Sequence, residues 1–231
     1  MNKPLDATQT SRFDRIIETI LLCLMVQLPP MLLLFAPKTS FHNPSGYGLL
    51  IAYWALFGLC IWIAFRRFRH WSNERLFHDF HLRDVGIALL AYVVILVGEN
   101  GLMALQQLLY HQRSTENNDA IASMLKTSPV ALVAIVVSTV SLTPFLEELV
   151  FRGVFTNLFF DQTKLWPKII LSSILFSAGH ASSNVISFLI YFFMGSVLAF
   201  VYQRTHKQFT SVMVHFLINA MAMSQLLLIL K

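Results

Sequence analysis

The chain has 231 residues, 56% of them hydrophobic and 13% charged, with a mean hydropathy of +0.62. Soluble domains carry roughly 45 to 50% apolar and about 25% charged residues, so a soluble fold is excluded, and no stretch is polar enough for a separate soluble domain. The formal charge of +5 does not point to nucleic acid, because Lys and Arg are scattered over short segments with no basic helix or aromatic platform.

A polar leader ends at Arg15, and the apolar run 16–36 that follows contains Pro29 and Pro30 but no small-x-small cleavage site, which predicts an uncleaved first span. Further apolar runs at 47–65, 85–110, 129–151, 168–182, 184–203 and 209–230 predict an all-α polytopic transmembrane helix bundle of about seven spans, against roughly 20 residues per crossing. The 168–182 run is short, and holds as a span only inside protein or at a water-accessible cavity. Only Ser183 separates it from the next run, so the two also read as one broken element. Cys23 and Cys60 lie in apolar segments, where free cysteine acts as a small hydrophobe. The expected organisation is one integral membrane domain, with a three-span region over 1–128 and the chemistry-bearing helices over 129–231.

Basic residues set the orientation. Twelve Lys and Arg residues fall on the side of the leader and of the connections after the second, fourth and sixth runs, against four on the other side with Arg152 left out. The N-terminus is therefore expected in the cytoplasm, and the polar connection 111–128, with room for a short interfacial helix, outside. Glu147, Glu148 and Arg152 then lie toward the cytoplasmic end of the fourth span.

Three ionisable groups inside an apolar span are costly, each roughly 2.5 to 3.5 kcal/mol at the bilayer centre. Glu148 and Arg152 are four apart and can pair on one helix face, while Glu147 points about 100° away. One carboxylate thus reads as structural and the other as free to act. His180 in the fifth run, and His215 with Asn219 four residues on in the seventh, add hydrogen-bonding groups that three helices can aim at one cavity. This set suffices to hydrolyse a peptide bond: a desolvated glutamate deprotonates water, a histidine holds the water or protonates the leaving amine, and imidazole and amide donors stabilise the oxyanion. Glu147, His180 and His215 equally make up the donor set of a His2Glu zinc site. Both arrangements stay open on the sequence.

EELVFR (147–152), FSAGH (176–180) and HFLIN (215–219) resemble the EExxxR, FxxxH and HxxxN/B motifs of the CAAX-protease and bacteriocin-processing (Abi) family of intramembrane proteases. The resemblance covers roughly residues 129–230; the first 128 carry no such motif. It implies that Glu147 activates water with His180 as its partner, that His215 and Asn219 stabilise the oxyanion, and that Glu148 and Arg152 support the site. The family has been classed both as metalloprotease and as glutamate-dependent protease, so it leaves the metal undecided. Eukaryotic members remove the last three residues of prenylated CAAX proteins; bacterial members are linked to bacteriocin self-immunity, peptide-pheromone maturation and secretion. For this compact chain it implies a bacterial plasma-membrane enzyme acting on a membrane-associated peptide or protein. Its rivals are a non-catalytic bacteriocin-immunity or scaffold protein and a proton-coupled transporter.

Outside the motifs, Glu99 and Asn100 form a polar pair mid-span that either lines the cavity or serves packing. Glu18 is expected at the membrane interface. His70, His78 and His81 read as a solvated surface segment before a metal site, and the 20 Phe residues as lipid contact and core.

Overall fold

A computed structural model describes residues 11–34, 44–72, 74, 76, 81–160 and 163–229. The described residues form helices α1 (Arg12–Leu34), α2 (Pro44–Trp71), α3 (Leu82–Tyr110), α4 (Glu116–Leu125), α5 (Pro129–Leu158), α6 (Leu165–Ala178), α7 (Val185–Thr205) and α8 (Gln208–Ile229), with no strand among them. Six of these are long and apolar enough to cross a membrane, and α6 is a shorter apolar helix. The expected all-α bundle is what forms. Apolar side chains such as Ile51, Leu90, Val97 and Leu108 remain exposed, as helices facing lipid require.

The fourth element runs to Leu158, beyond the apolar limit read at residue 151, because the turn containing Arg152 is buried and continues the helix. The fifth and sixth runs are two helices joined by residues 179–184. At 14 residues and 1.5 Å per residue, α6 is about 21 Å long, short of a hydrocarbon core of roughly 30 Å. It packs against α7 at a small-residue crossing: a Cβ on Gly195 would stand 3.2 Å from the Ser173 Cα, and Ser196 donates to Ser173 at 3.1 Å.

Polar contacts define the two ends of the bundle. At one, Arg67 grips Glu18 through Nε (2.6 Å) and Nη2, Trp71 donates to the same carboxylate, and Lys207 pairs with Asp84 at 2.7 Å. Arg15 reaches the Leu158 carbonyl there. Glu18 is thus tied to α2. His81 precedes α3, donating its N–H to the Asp84 carboxylate and accepting the Asp84 N–H at its carbonyl, His70 sits edge-on to Trp71, and His78 lies outside the described residues. At the other end, Glu116 at the start of α4 accepts from Ser183 and Ser187, and Asn184 donates to Gln112. The short helix expected in 111–128 is this α4.

The α5 rod is not uniformly α-helical. The Thr143 N–H bonds back five residues to Ser138 and the Phe155 N–H to Val150, so π turns over Ser138–Leu142 and Leu149–Val154 flank an α segment at Thr143–Glu148. Pro144 supplies one cause, since it lacks an N–H and cannot bond the preceding turn. Backbone carbonyls freed in this way take side-chain donors: Asn219 Nδ2 bonds Thr139 O at 2.8 Å and Ser172 Oγ bonds Phe151 O at 2.8 Å. π turns gather at functional sites, and both glutamates sit between these two.

Candidate active site

Glu148 and Arg152 are fully buried and joined at 3.2 Å. Arg152 also donates to the Gly195 carbonyl at 3.1 Å and lies 4.5 Å from the centre of the Phe176 ring. Glu148 Oε1 accepts from His215 Nδ1 at 3.0 Å. A carboxylate can only accept, so His215 carries its proton on Nδ1 and turns Nε2 away from Glu148, as a metal- or acid-orienting second carboxylate does elsewhere.

That Nε2 stands 3.8 Å from Glu147 Oε2. Glu147 is 5% exposed, and its Oε2 makes no hydrogen bond. The adjacent carboxylates differ in their partners: Glu148 Oε1 is held by cation and imidazole, whereas Glu147 has only the 3.8 Å approach of His215, and Oε2 of each is buried without a hydrogen bond.

Glu147 forms part of the wall of a cavity of about 460 Å³, with His180, Asn219, Thr139 and Thr143. His180 comes to it because α6 stops short and the chain turns at Gly179, whose carbonyl accepts from Gln27 on α1. His180 Nδ1 bonds the Phe176 carbonyl at 2.8 Å, and its ring stacks on Tyr191 with centroids 4.3 Å apart. Since a carbonyl accepts only, Nδ1 bears the proton and Nε2 keeps a lone pair. Tyr191 is itself fixed by a hydroxyl contact of 2.7 Å with Thr115.

The glutamate, both histidines and the asparagine are thus gathered around one region, but not all on its surface. Glu147, His180 and Asn219 line the cavity; His215 lies behind Glu147 and is 1% exposed. Asn219 has one amide N–H on Thr139 O and a second to offer. The zinc arrangement fits less well, for among the described residues no group of three or more His, Cys, Asp and Glu side chains is disposed to hold a metal ion.

The walls reach beyond the three motif-bearing spans. Gln27 and Pro30 of α1, Glu99 and Asn100 of α3, and Asn117 of α4 all contribute, so the region without motifs builds much of the chamber. It extends from mid-α5 toward the α4 end of the bundle, away from the Arg67 and Lys207 end. Six of the nine methionines line it, which gives an apolar wall able to accommodate varied side chains. Tyr191 and the π turns were not anticipated; Pro144 inside an apolar run was the available signal for the latter.

A polytopic bundle with a carboxylate, imidazole and amide around an interior chamber defines the class. The family profile described as type II CAAX prenyl endopeptidase Rce1-like matches residues 129–221. Bacillus subtilis (strain 168) YdiL, whose name describes it as a candidate membrane peptidase, is 32% identical over 107 residues, 46% of this chain and 41% of that protein. Lactococcus lactis subsp. lactis (strain IL1403) UPF0177 protein YvdC is 30% identical over 136 residues, 58% of this chain and 48% of that protein. The matched stretch spans less than half the length of each relative. No solved structure matches the chain. The chain is similar to the Rce1-like family through its motif-bearing region, residues 129–221.

Proposed function

We propose that the protein is an intramembrane endopeptidase that hydrolyses a peptide bond of a membrane-associated peptide or protein, with Glu147 as general base. The observation that carries this is the unpaired, buried Oε2 of Glu147 on the wall of a chamber shared with His180 and Asn219. A buried carboxylate lacking its hydrogen bonds is costly unless something enters to supply them, and under this proposal a water takes that place.

In this mechanism Glu147 Oε2 takes one proton from the water while His180 Nε2 accepts a hydrogen bond from the O–H that stays on the oxygen, aiming that oxygen at the scissile carbonyl carbon. The new C–O bond pushes the carbonyl electrons onto oxygen, and that oxyanion takes the free Asn219 amide N–H. Collapse breaks the C–N bond as Glu147 delivers its proton to the amine, leaving a carboxylic acid and an amine. His215 acts as a positioning residue: Glu148 holds its Nδ1, and its Nε2 faces and orients Glu147.

The test is cleavage by the purified full chain in detergent or nanodiscs. Glu147→Gln and His180→Ala are each expected to lower turnover at least about 100-fold, the lower range for a general base, with insertion intact. Cleavage should persist in 1,10-phenanthroline. Wild-type turnover by Glu147→Gln overturns the assignment, and loss in chelator restored by zinc overturns the metal-free step.

A further inference from the structure

The chamber contains a second glutamate that hydrolysis does not use. Glu99 is residue-wise mid-helix in α3, about 26 Å along the axis from Leu82 and about 16 Å from Tyr110, so it lies within the hydrocarbon depth. It lines the same cavity as Glu147 and His180. Among the described residues it makes no hydrogen bond and no ion pair, although a carboxylate at this depth is expensive without a partner. Tyr191, whose ring stacks on His180, lines the same cavity. Glu99 and the proposed water-holding imidazole thus share one chamber.

The polar groups around it favour a donor. Asn100, also in the wall, turns its Nδ2 to the Leu96 carbonyl at 2.7 Å, and Gln27 turns its Nε2 to the Gly179 carbonyl at 3.1 Å. Their amide oxygens remain as acceptors. A lysine ammonium or arginine guanidinium has donors only, and an ion pair formed out of water is strengthened by the low dielectric. The methionine-lined walls suit the aliphatic stem of either side chain.

We propose that Glu99 is the specificity-determining residue of this chamber, receiving a lysine or arginine side chain of the bound peptide. The inference rests on the chamber being a peptide site, the reading above, but not on cleavage itself. An unpaired carboxylate selects by charge: the matching cation satisfies it, and a neutral isostere leaves it bare.

The experiment measures binding of a dansylated leucine-alanine dodecapeptide with one central lysine, and of its norleucine twin. The protein is the Glu147→Gln full chain in nanodiscs of phosphatidylglycerol and phosphatidylcholine, with empty nanodiscs as control. The lysine peptide is expected to bind about 10-fold tighter, with a ratio near 1 in Glu99→Gln and the preference kept in Glu99→Asp. Equal binding of the twins by the Glu99 protein overturns the proposal without need of a Glu99 variant, as does an unchanged ratio in Glu99→Gln. Phosphatidylethanolamine offers the same ammonium from a lipid headgroup. If adding it abolishes the lysine preference, Glu99 serves the lipid and the proposal falls; if the preference persists, the peptide assignment stands. A parallel assay with Glu147 intact separates the two readings. Preferred binding without cleavage removes the peptidase reading and leaves this one, whereas cleavage of both twins at equal rates removes this one and leaves the peptidase.

Discussion

The two sides of α5 show how one helix holds both a rigid support and a reactive group. Behind it, Glu148, Arg152 and His215 interlock with the Gly195 carbonyl and the Phe176 ring. Toward the chamber, Glu147 has the 3.8 Å approach of His215 and an oxygen without a hydrogen bond. Charges buried on both sides cost desolvation; on one side a cation and an imidazole offset part of it, on the other the carboxylate faces the chamber. Adjacent residues differ because the α segment between two π turns sends them in different directions, not because their chemistry differs.

The largest break in this contrast comes from the supporting side. Arg152→Ala leaves Glu148 buried beside His215 without its cation, and removing one partner of a buried pair costs roughly 3 to 5 kcal/mol. Thermal unfolding in detergent and membrane yield should both fall. Glu147→Gln should leave unfolding nearly unchanged, since no ion pair shorter than 3.8 Å is lost. Equal stability loss in the two variants would erase the distinction. A smaller effect is expected from Gly195→Ala, whose Cβ would sit 3.1 Å from Phe176 Cδ1 and 3.2 Å from Ser173 Cα. The backbone of α6 would have to give way, at about 1 to 3 kcal/mol. Because Gly195 O also holds Arg152, a normal melting curve for this variant would show the crossing to be looser than the structure implies.

Tyr191→Phe sharpens the comparison from the chamber side. It keeps the ring stacked on His180 but removes the hydroxyl bonded to Thr115, a loss of about 0.5 to 1.5 kcal/mol. Turnover should change by less than about 10-fold, because His180 remains anchored at Phe176 O. A collapse of turnover with stability intact would give the hydroxyl a part in the reaction.

Most of the spans were legible because a bilayer demands long apolar runs, and the Glu148–Arg152 contact because four residues bring side chains to one face. The π turns were not, since a period of 3.6 was assumed throughout α5 and Pro144 was not taken as a break. Shared faces placed His215 with Asn219, yet spacing within α8 cannot reveal that Glu148 captures Nδ1 and draws His215 behind Glu147. Glu99 was noticed as a charge in an apolar run, but its position in the chamber depends on how α3 packs across α7 and α8. Such contacts between distant segments leave no periodic trace.

The smallest effect belongs to the clamp that ties α4 to the His180 loop. Burial by itself would raise the Glu116 carboxyl, but bonds from the Ser183 hydroxyl and N–H and from the Ser187 hydroxyl overcome it and hold it down from an ordinary 4.5 to about 2. The folded value lies below the unfolded one, so this group stabilises the fold above pH 4.5 and the stabilisation is lost as pH falls toward 2. Glu116 is partly exposed, and solvent screening keeps the gain small. Melting temperatures of the wild type and Glu116→Gln should therefore differ most above pH 4.5 and converge as acid protonates the wild-type carboxyl. Other carboxylates titrate in the same window, but they do so in both proteins and cancel in the difference. A gap between the two curves that stays constant from neutral pH into acid would mean the serine contacts work through shape alone, and the clamp would then set the position of the His180 loop without any dependence on charge.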